Sequence, residues 1–146
     1  MYQDILVPLD GSVNADEALQ EAIQLSRYFG SQITLLTVVN NSNWLAASGS
    51  ITYDFTKDYR ERAEKLLAQG SEIAEKAGIQ TESVIETGIP KNVVVSFAKE
   101  HAIDLIVIGK SGADAINRML IGSTTAYVVR NASVRVLVVN DDDTSE

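Results

Sequence analysis

Five stretches of the chain carry apolar residues in short, nearly uninterrupted runs. Such runs are typical of strands in a parallel sheet that helices cover on both faces. Four of them are strongly apolar, and the third along the chain is more polar. The predicted strands cover residues 5–7, 33–39, 82–86, 105–108 and 134–139.

Helical spacing of apolar residues fills the intervals between these strands. Asn14 with Glu17 three residues later matches a capping box at the start of the first helix, and Gly30 is expected to end that helix. Pro90 suits the first turn of a later helix, which ends near His101. The remaining helical patterns cover residues 53–77 and 123–130.

The alternation of strands and helices predicts one α/β domain, doubly wound, with five parallel strands and four helices. We expect this domain to cover residues 1–140, followed by an acidic tail at residues 141–146. Such sheets bind ligands beyond the carboxyl ends of their strands, where the strand order reverses. For the order 3-2-1-4-5 the reversal lies between strands one and four, so Asp10 and the segment that begins at Gly109 are predicted to face one crevice.

Composition narrows the classes of function. The chain has 146 residues, of which 45% are apolar and 22% charged, as in a soluble globular protein. It has no cysteine and one histidine, His101, which excludes thiol catalysis, cysteine-ligated zinc and sites with several histidines. No apolar run reaches the ~18 residues of a membrane helix, and the N-terminus lacks the basic region of a signal peptide, so we expect a cytoplasmic protein without membrane binding. The net charge of −8 argues against binding to nucleic acid.

The stretch GKSGADAINRMLIGSTT, residues 109–125, is the main candidate for binding chemistry. It is not a P-loop, because the upstream glycine of GxxxxGK[ST] would fall at Asp104. It is not a dinucleotide fingerprint either, because its glycines follow the spacing G-2x-G-9x-G-S. Glycines nevertheless allow backbone amides to approach an anion, and the end of the stretch places amides and hydroxyls at a helix N-terminus. The same residues are also ordinary turn and cap chemistry, so both interpretations stay open at this point.

Four segments give the chain a resemblance to the universal stress protein family over essentially its whole length. They are the opening ILVPLDGS, the strand DLIVIG, the complete G-2x-G-9x-G-[ST] motif and the ending VRVLVV. The resemblance implies an adenine-nucleotide alpha-hydrolase-like fold with five parallel strands and four helices. It also implies the branch of the family that keeps the glycine motif and binds ATP.

Carried over by position, the resemblance implies a set of nucleotide contacts. Asp10 would lie near adenine or ribose, with Pro8 and Leu9 lining the pocket and Val38 contacting adenine through its backbone. The phosphates would contact Gly109, Gly112, Gly122, Ser123 and Thr124, with Lys110 and Arg118 as additional cations. Mg²⁺ would be coordinated largely by phosphate and water. Because family members dimerise through their last strand, the resemblance also implies a homodimer through the edge strand at residues 134–139.

Three hypotheses of different classes follow from the sequence. The leading one is a nucleotide-binding module, a cytoplasmic dimer that takes up ATP and acts in stress response or signalling. A slow ATPase or phosphotransferase is the alternative, with Asp114 and Ser123 as candidates for orienting the reacting groups. The third is an interaction protein with an unoccupied crevice, whose loop at residues 40–52, containing Trp44, contacts a partner.

Overall fold

The computed structural model describes residues 1–41, 55–111 and 120–140, and within them five strands form one parallel sheet. The strands are β1 (Asp4–Pro8), β2 (Gln32–Val39), β3 (Thr81–Thr87), β4 (Leu105–Gly109) and β5 (Arg135–Val139). Their order in the sheet is β3-β2-β1-β4-β5. The predicted fold class and strand order are therefore confirmed.

Four helices connect the strands in the described ranges: α1 (Val13–Phe29), α2 (Phe55–Lys76), α3 (Pro90–Glu100) and α4 (Ser123–Asn131). The predicted helix at 53–77 begins at Phe55 in the structure, and the other predicted helices agree with the observed ones to within one or two residues at each end. Gly30 ends α1 in the left-handed conformation, with φ of 72°, as its position predicts.

The start of α1 differs from the prediction. Ser12 is the N-cap, because its side-chain oxygen accepts a hydrogen bond from the Ala15 amide at 3.1 Å. The interpretation of Asn14 as the cap is therefore wrong. Asn14 lies two residues further on, inside the helix, and donates a side-chain hydrogen bond to Glu17 at 2.8 Å.

Two apolar clusters lie on opposite faces of the sheet. One joins α1 and α2 to the sheet through Leu19, Ile23 and Leu67, and the other joins α3 and α4 to it through Phe97 and Val128. Successive residues of β1 point into opposite clusters, which explains why Ile5–Val7 is apolar at every position. The layers are therefore helix, sheet and helix, with α4 on the same side as α3.

The ladder between β1 and β4 is short. It contains the pairs Ile5 with Leu105 and Leu6 with Ile106, although β4 continues to Gly109. The neighbouring ladders of β2 with β3 and of β4 with β5 extend to the carboxyl ends of their strands. The central sheet is thus open at the carboxyl end of β1 and β4, at the point where the strand order reverses.

Several predictions fall on residues outside the described ranges. They concern Gly112, Arg118, Asp114, most of the loop at residues 40–52 with Trp44, and the tail at 141–146. The helices that are described lack the combination of length and apolar sequence that a membrane crossing needs.

Candidate functional site

A cleft of about 690 Å³ lies at the carboxyl edge of the sheet, where β1 and β4 separate. Its volume is within the range of ligand pockets, about 300–1,000 Å³. Eight of the predicted site residues line it: Pro8, Leu9, Asp10, Val38, Gly109, Gly122, Ser123 and Thr124. Residues far apart in the sequence are therefore brought together at one opening, as the topology predicts.

The floor of the cleft is held by backbone bonds at the end of β1. The Leu9 amide donates to the Leu36 carbonyl at 2.8 Å, and the Leu9 carbonyl accepts from the Thr37 hydroxyl at 3.1 Å. Asp10 follows, and its carboxylate accepts the Ser12 amide at 2.9 Å. Asp10 is thereby oriented by the turn into α1, and it remains exposed to the cleft.

Gly109 has a packing role at the end of β4. A Cβ atom on Gly109 would lie 2.7 Å from the carbonyl carbon, the carbonyl oxygen and the Cβ of Asn14, so the strand and the start of α1 approach too closely for any other residue. The Gly109 carbonyl accepts the Thr125 hydroxyl at 2.7 Å. The sequence predicted this glycine for its access to an anion, and the structure adds a requirement of helix–strand packing that no local pattern reveals.

Asn14 also fixes the beginning of the glycine stretch. Its side-chain oxygen accepts the Ser111 hydroxyl at 2.6 Å and the Ser111 amide at 3.2 Å, and both residues are buried. These bonds join positions 97 residues apart. They fix Ser111, and with it the backbone just after β4, against the start of α1.

Two backbone amides of the glycine stretch are engaged within the protein. The Lys110 amide donates to the Val139 carbonyl, and the Gly122 amide donates to the Lys110 carbonyl, each at 2.9 Å. Lys110 is not among the residues that line the cleft. The first hydrogen bond within α4 runs from the Ala126 amide to the Gly122 carbonyl. The amides of residues 123–125 therefore have no acceptor within the helix.

The start of α4 is oriented toward the cleft. Its N-cap, Gly122, provides no side-chain cap, and Ser123, Thr124 and Thr125 line the opening. Amides at a helix N-terminus carry partial positive charge and bind anions. The arrangement can therefore bind the phosphate oxygens of a ligand that also reaches Asp10.

Helices α2 and α3 add cationic residues that the sequence analysis missed. Arg62 and Tyr59 of α2 line the cleft on one side, and Lys91 of α3 lines it on the other. Lys91 lies in the first turn of the helix that follows β3, so its place at the carboxyl edge could have been predicted from the topology. Arg62 lies on an exposed helix face, and nothing in its local sequence marks it.

The charges of the cleft differ from those of the whole chain. Among its described lining residues, the acidic side chain is Asp10 and the basic ones are Arg62 and Lys91. Just outside it, burial raises the pKa of the Asp16 carboxyl above its usual value, and the carboxylates of Asp10 and Glu17 raise it further. The cleft lining is thus locally positive although the chain carries −8.

The family model that matches this sequence is that of the universal stress protein family, over residues 1–140. A universal stress protein of Methanocaldococcus jannaschii is 30% identical over 140 residues, which are 95% of this chain and 82% of that protein.

Solved structures show the same similarity in three dimensions. Universal stress protein UspA from Lactobacillus plantarum gives a TM-score of 0.82 at 31% identity, covering 94% of this chain and 97% of that one. A crystal structure of a universal stress protein in complex with cAMP gives a TM-score of 0.74 at 27% identity, again covering 94% and 97% of the two chains.

Proposed function

Because the chain belongs to the universal stress protein family, we propose that it binds ATP in the cleft at the carboxyl edge of its sheet. In this proposal it is a cytoplasmic nucleotide-binding module that acts in a stress response or in signalling. The observation that carries the proposal is the position of the α4 N-terminus, which lines the same cleft as Asp10.

The start of α4 would bind the phosphates. The amides of residues 123–125 lie beyond the reach of intrahelical bonds, and the hydroxyls of Ser123 and Thr124 lie beside them. Gly112 and Arg118 would complete this end as the glycine motif implies. Gly109 supports the site by allowing β4 to pack against α1, while Lys110 supports it through its backbone bonds to β5 and to Gly122.

The end of β1 would bind the nucleoside. Asp10 can accept a hydrogen bond from a ribose hydroxyl, since its carboxylate is exposed to the cleft. Pro8, Leu9 and Val38 give this end an apolar lining suited to a purine base. The cAMP complex of the related protein supports an adenine nucleotide as the ligand class.

Mg²⁺ would be bound through the phosphates. Within residues 1–41, 55–111 and 120–140 there is no group of three or more His, Cys, Asp or Glu side chains that could hold a metal ion. In the proposal the cation would keep most of its water and be coordinated by phosphate oxygens.

Titration calorimetry with ATP and Mg²⁺ tests the proposal, with Ser123→Asp as the decisive variant. A carboxylate at the first position of α4 favours the helix dipole but repels phosphate, so we expect unchanged or slightly higher stability together with loss of ATP binding. Ser133→Asp is the matched control, because it adds the same charge at an exposed position between α4 and β5, at the opposite edge of the sheet.

Absence of ATP binding by the unmodified protein, or equal binding by Ser123→Asp, contradicts the proposal. Analysis of the nucleotide recovered after hours of incubation distinguishes a binding module, which returns ATP intact, from a slow ATPase, which returns ADP.

We further propose that the chain forms a homodimer through residues 134–139. In the described part of the chain β5 is the last strand of the sheet and pairs with β4 alone, which leaves its outer side available to a partner strand. Sedimentation at micromolar concentration should give a mass of twice the 15.8 kDa of one chain, and a monomer of 15.8 kDa contradicts this assembly.

A further inference from the structure

Lys91 is a cation in the lining of the cleft. It lies in the first turn of α3, directly after Pro90, and that turn contains no acidic residue. A cation near a helix N-terminus is disfavoured by the helix dipole. Among the described residues, no carboxylate forms a salt bridge with Lys91. The two salt bridges in that part of the chain are formed by Arg60 and by Lys76.

The ammonium group of Lys91 is directed toward α4. Its Nζ lies 5.1 Å from the centre of the Tyr127 ring, a distance typical of a cation–π contact. Tyr127 follows Ser123 by four residues, about one helical turn. The contact therefore holds the positive charge of Lys91 against α4, the helix whose N-terminus lines the cleft together with Lys91.

The other described cation of the cleft is placed differently. Arg62 belongs to α2, which packs with α1 on one face of the sheet, whereas α3 and α4 pack on the opposite face. Lys91 thus shares its layer with the helix start at which the phosphates would bind. Asp10, at the end of β1, lies at the end of the cleft where the nucleoside would bind. Its carboxylate accepts a hydrogen bond from the Ser12 amide, which lies in the turn before α1 and not in α3.

From this placement we propose that Lys91 is a specificity-determining residue that makes the cleft prefer the long, highly charged phosphate chain of a nucleoside triphosphate. The inference rests on the proposed function, because it assigns a ligand preference to the same cleft. A point charge beside the phosphate end attracts ATP more strongly than AMP or cAMP, since ATP carries more negative charge in reach of it.

The preference has a structural cost and a compensating contact. The dipole of α3 disfavours the lysine, while the face of Tyr127 attracts its ammonium group and holds it against α4. A bound triphosphate would replace the missing acidic partner. A nucleoside monophosphate brings a single phosphate with less negative charge, so the same lysine would stabilise it less.

Calorimetric titration of Lys91→Gln with ATP plus Mg²⁺, with AMP and with cAMP tests the inference. We expect the affinity for ATP to fall by about tenfold or more, as for loss of a hydrogen bond to a charged group. The affinities for AMP and cAMP should fall clearly less than the affinity for ATP, so the ratio of ATP to AMP affinity falls. Lys91→Arg should retain the ratio, because it retains the positive charge and the ability to contact the Tyr127 ring.

Lys99→Gln is the matched control. It removes the same charge from the last turn of the same helix, outside the cleft, and should leave all three affinities unchanged. Equal weakening of the three nucleotides by Lys91→Gln, or an unchanged affinity ratio, overturns the inference while the proposed function stands. Failure of the unmodified protein to bind any of the three overturns both.

Discussion

Substitution of Gly109 by alanine separates two roles for this glycine, access to a ligand and packing of β4 against α1. The added Cβ would lie 2.7 Å from three atoms of Asn14, two of which belong to its backbone. Favourable contacts between carbon atoms begin at about 3.5 Å, so the strand and the helix start would have to separate by most of an ångström. Backbone cannot rotate away as the end of a long side chain can.

The expected loss of stability follows from the bonds that such a shift strains. Overpacking of a well-packed site costs about 1–3 kcal/mol. The two hydrogen bonds from Ser111 to Asn14 would weaken as well, at about 1 kcal/mol for each bond lost. We therefore expect Gly109→Ala to lower the free energy of unfolding by about 2–4 kcal/mol, a large part of the 5–15 kcal/mol typical of a domain.

Urea unfolding followed by circular dichroism measures this loss. With a slope of about 2 kcal/mol/M, the midpoint should fall by roughly 1–2 M. Gly78→Ala is the control, because Gly78 has a left-handed backbone without crowding, whereas Gly109 is crowded without a left-handed backbone. Gly78 has φ of 83°, and no atom lies within 4 Å of an added Cβ. Its cost comes from the left-handed backbone alone, about 1–2 kcal/mol. A midpoint for Gly109→Ala equal to that of the unmodified protein, with loss of nucleotide affinity only, refutes the packing role.

Two further predictions concern the start of α1. Ser12→Ala removes the oxygen that accepts the Ala15 amide and should lower the free energy of unfolding by about 1 kcal/mol in the same assay, whereas Ser133→Ala should change it by less than about 0.5 kcal/mol. Asp16→Asn should raise the free energy of unfolding at pH 7 relative to the unmodified protein, with a difference that disappears as the pH falls below 3.8, the usual pKa of the carboxyl. The sign follows because a raised pKa means that the folded state binds the proton more tightly than the unfolded state, so ionisation of Asp16 lowers stability as the pH rises. A difference that does not depend on pH contradicts this assignment.

The fold could be predicted because the sequence patterns that determine it are local and recur along the chain. Runs such as Ile5–Val7 require a sheet that is covered on both faces, and the alternation with helices leaves few topologies. The short connection between Thr87 and Pro90 likewise fixes the place where α3 begins. Errors at helix ends come from competition between equally good local signals.

The cap of α1 illustrates that competition. Both Ser12 and Asn14 are residues that favour an N-cap, and only Asn14 is followed three positions later by a glutamate. The structure resolves the choice through a distant contact, because the Asn14 side chain accepts its bonds from Ser111, 97 residues away. A pattern within one helix cannot contain that information.

The candidate site was predictable where it consists of strand ends and not where it consists of helix faces. Asp10 and Gly109 follow central strands, so the topology alone places them at the opening. Arg62 reaches the same opening through the packing of α2 across the sheet, which depends on side-chain contacts along the whole helix. The predicted cation Lys110, by contrast, does not line the cleft, although its backbone bonds to Gly122, which does.

An acidic net charge is compatible with the proposed anionic ligand, because distant carboxylates and the groups that line the cleft act on a ligand over different distances. At physiological ionic strength the field of exposed carboxylates is screened over about 8 Å, so the net charge of −8 would act mainly on a nucleotide that is still approaching the proposed site. Inside the cleft the nearest groups decide, and these include the α4 amides, Lys91 and Arg62. Partial exclusion of water strengthens their interaction with phosphate relative to bulk solvent. In the proposed complex, acidic residues outside the cleft would therefore lower the rate of association more than the affinity, and the affinity would depend on the described cations that line the opening.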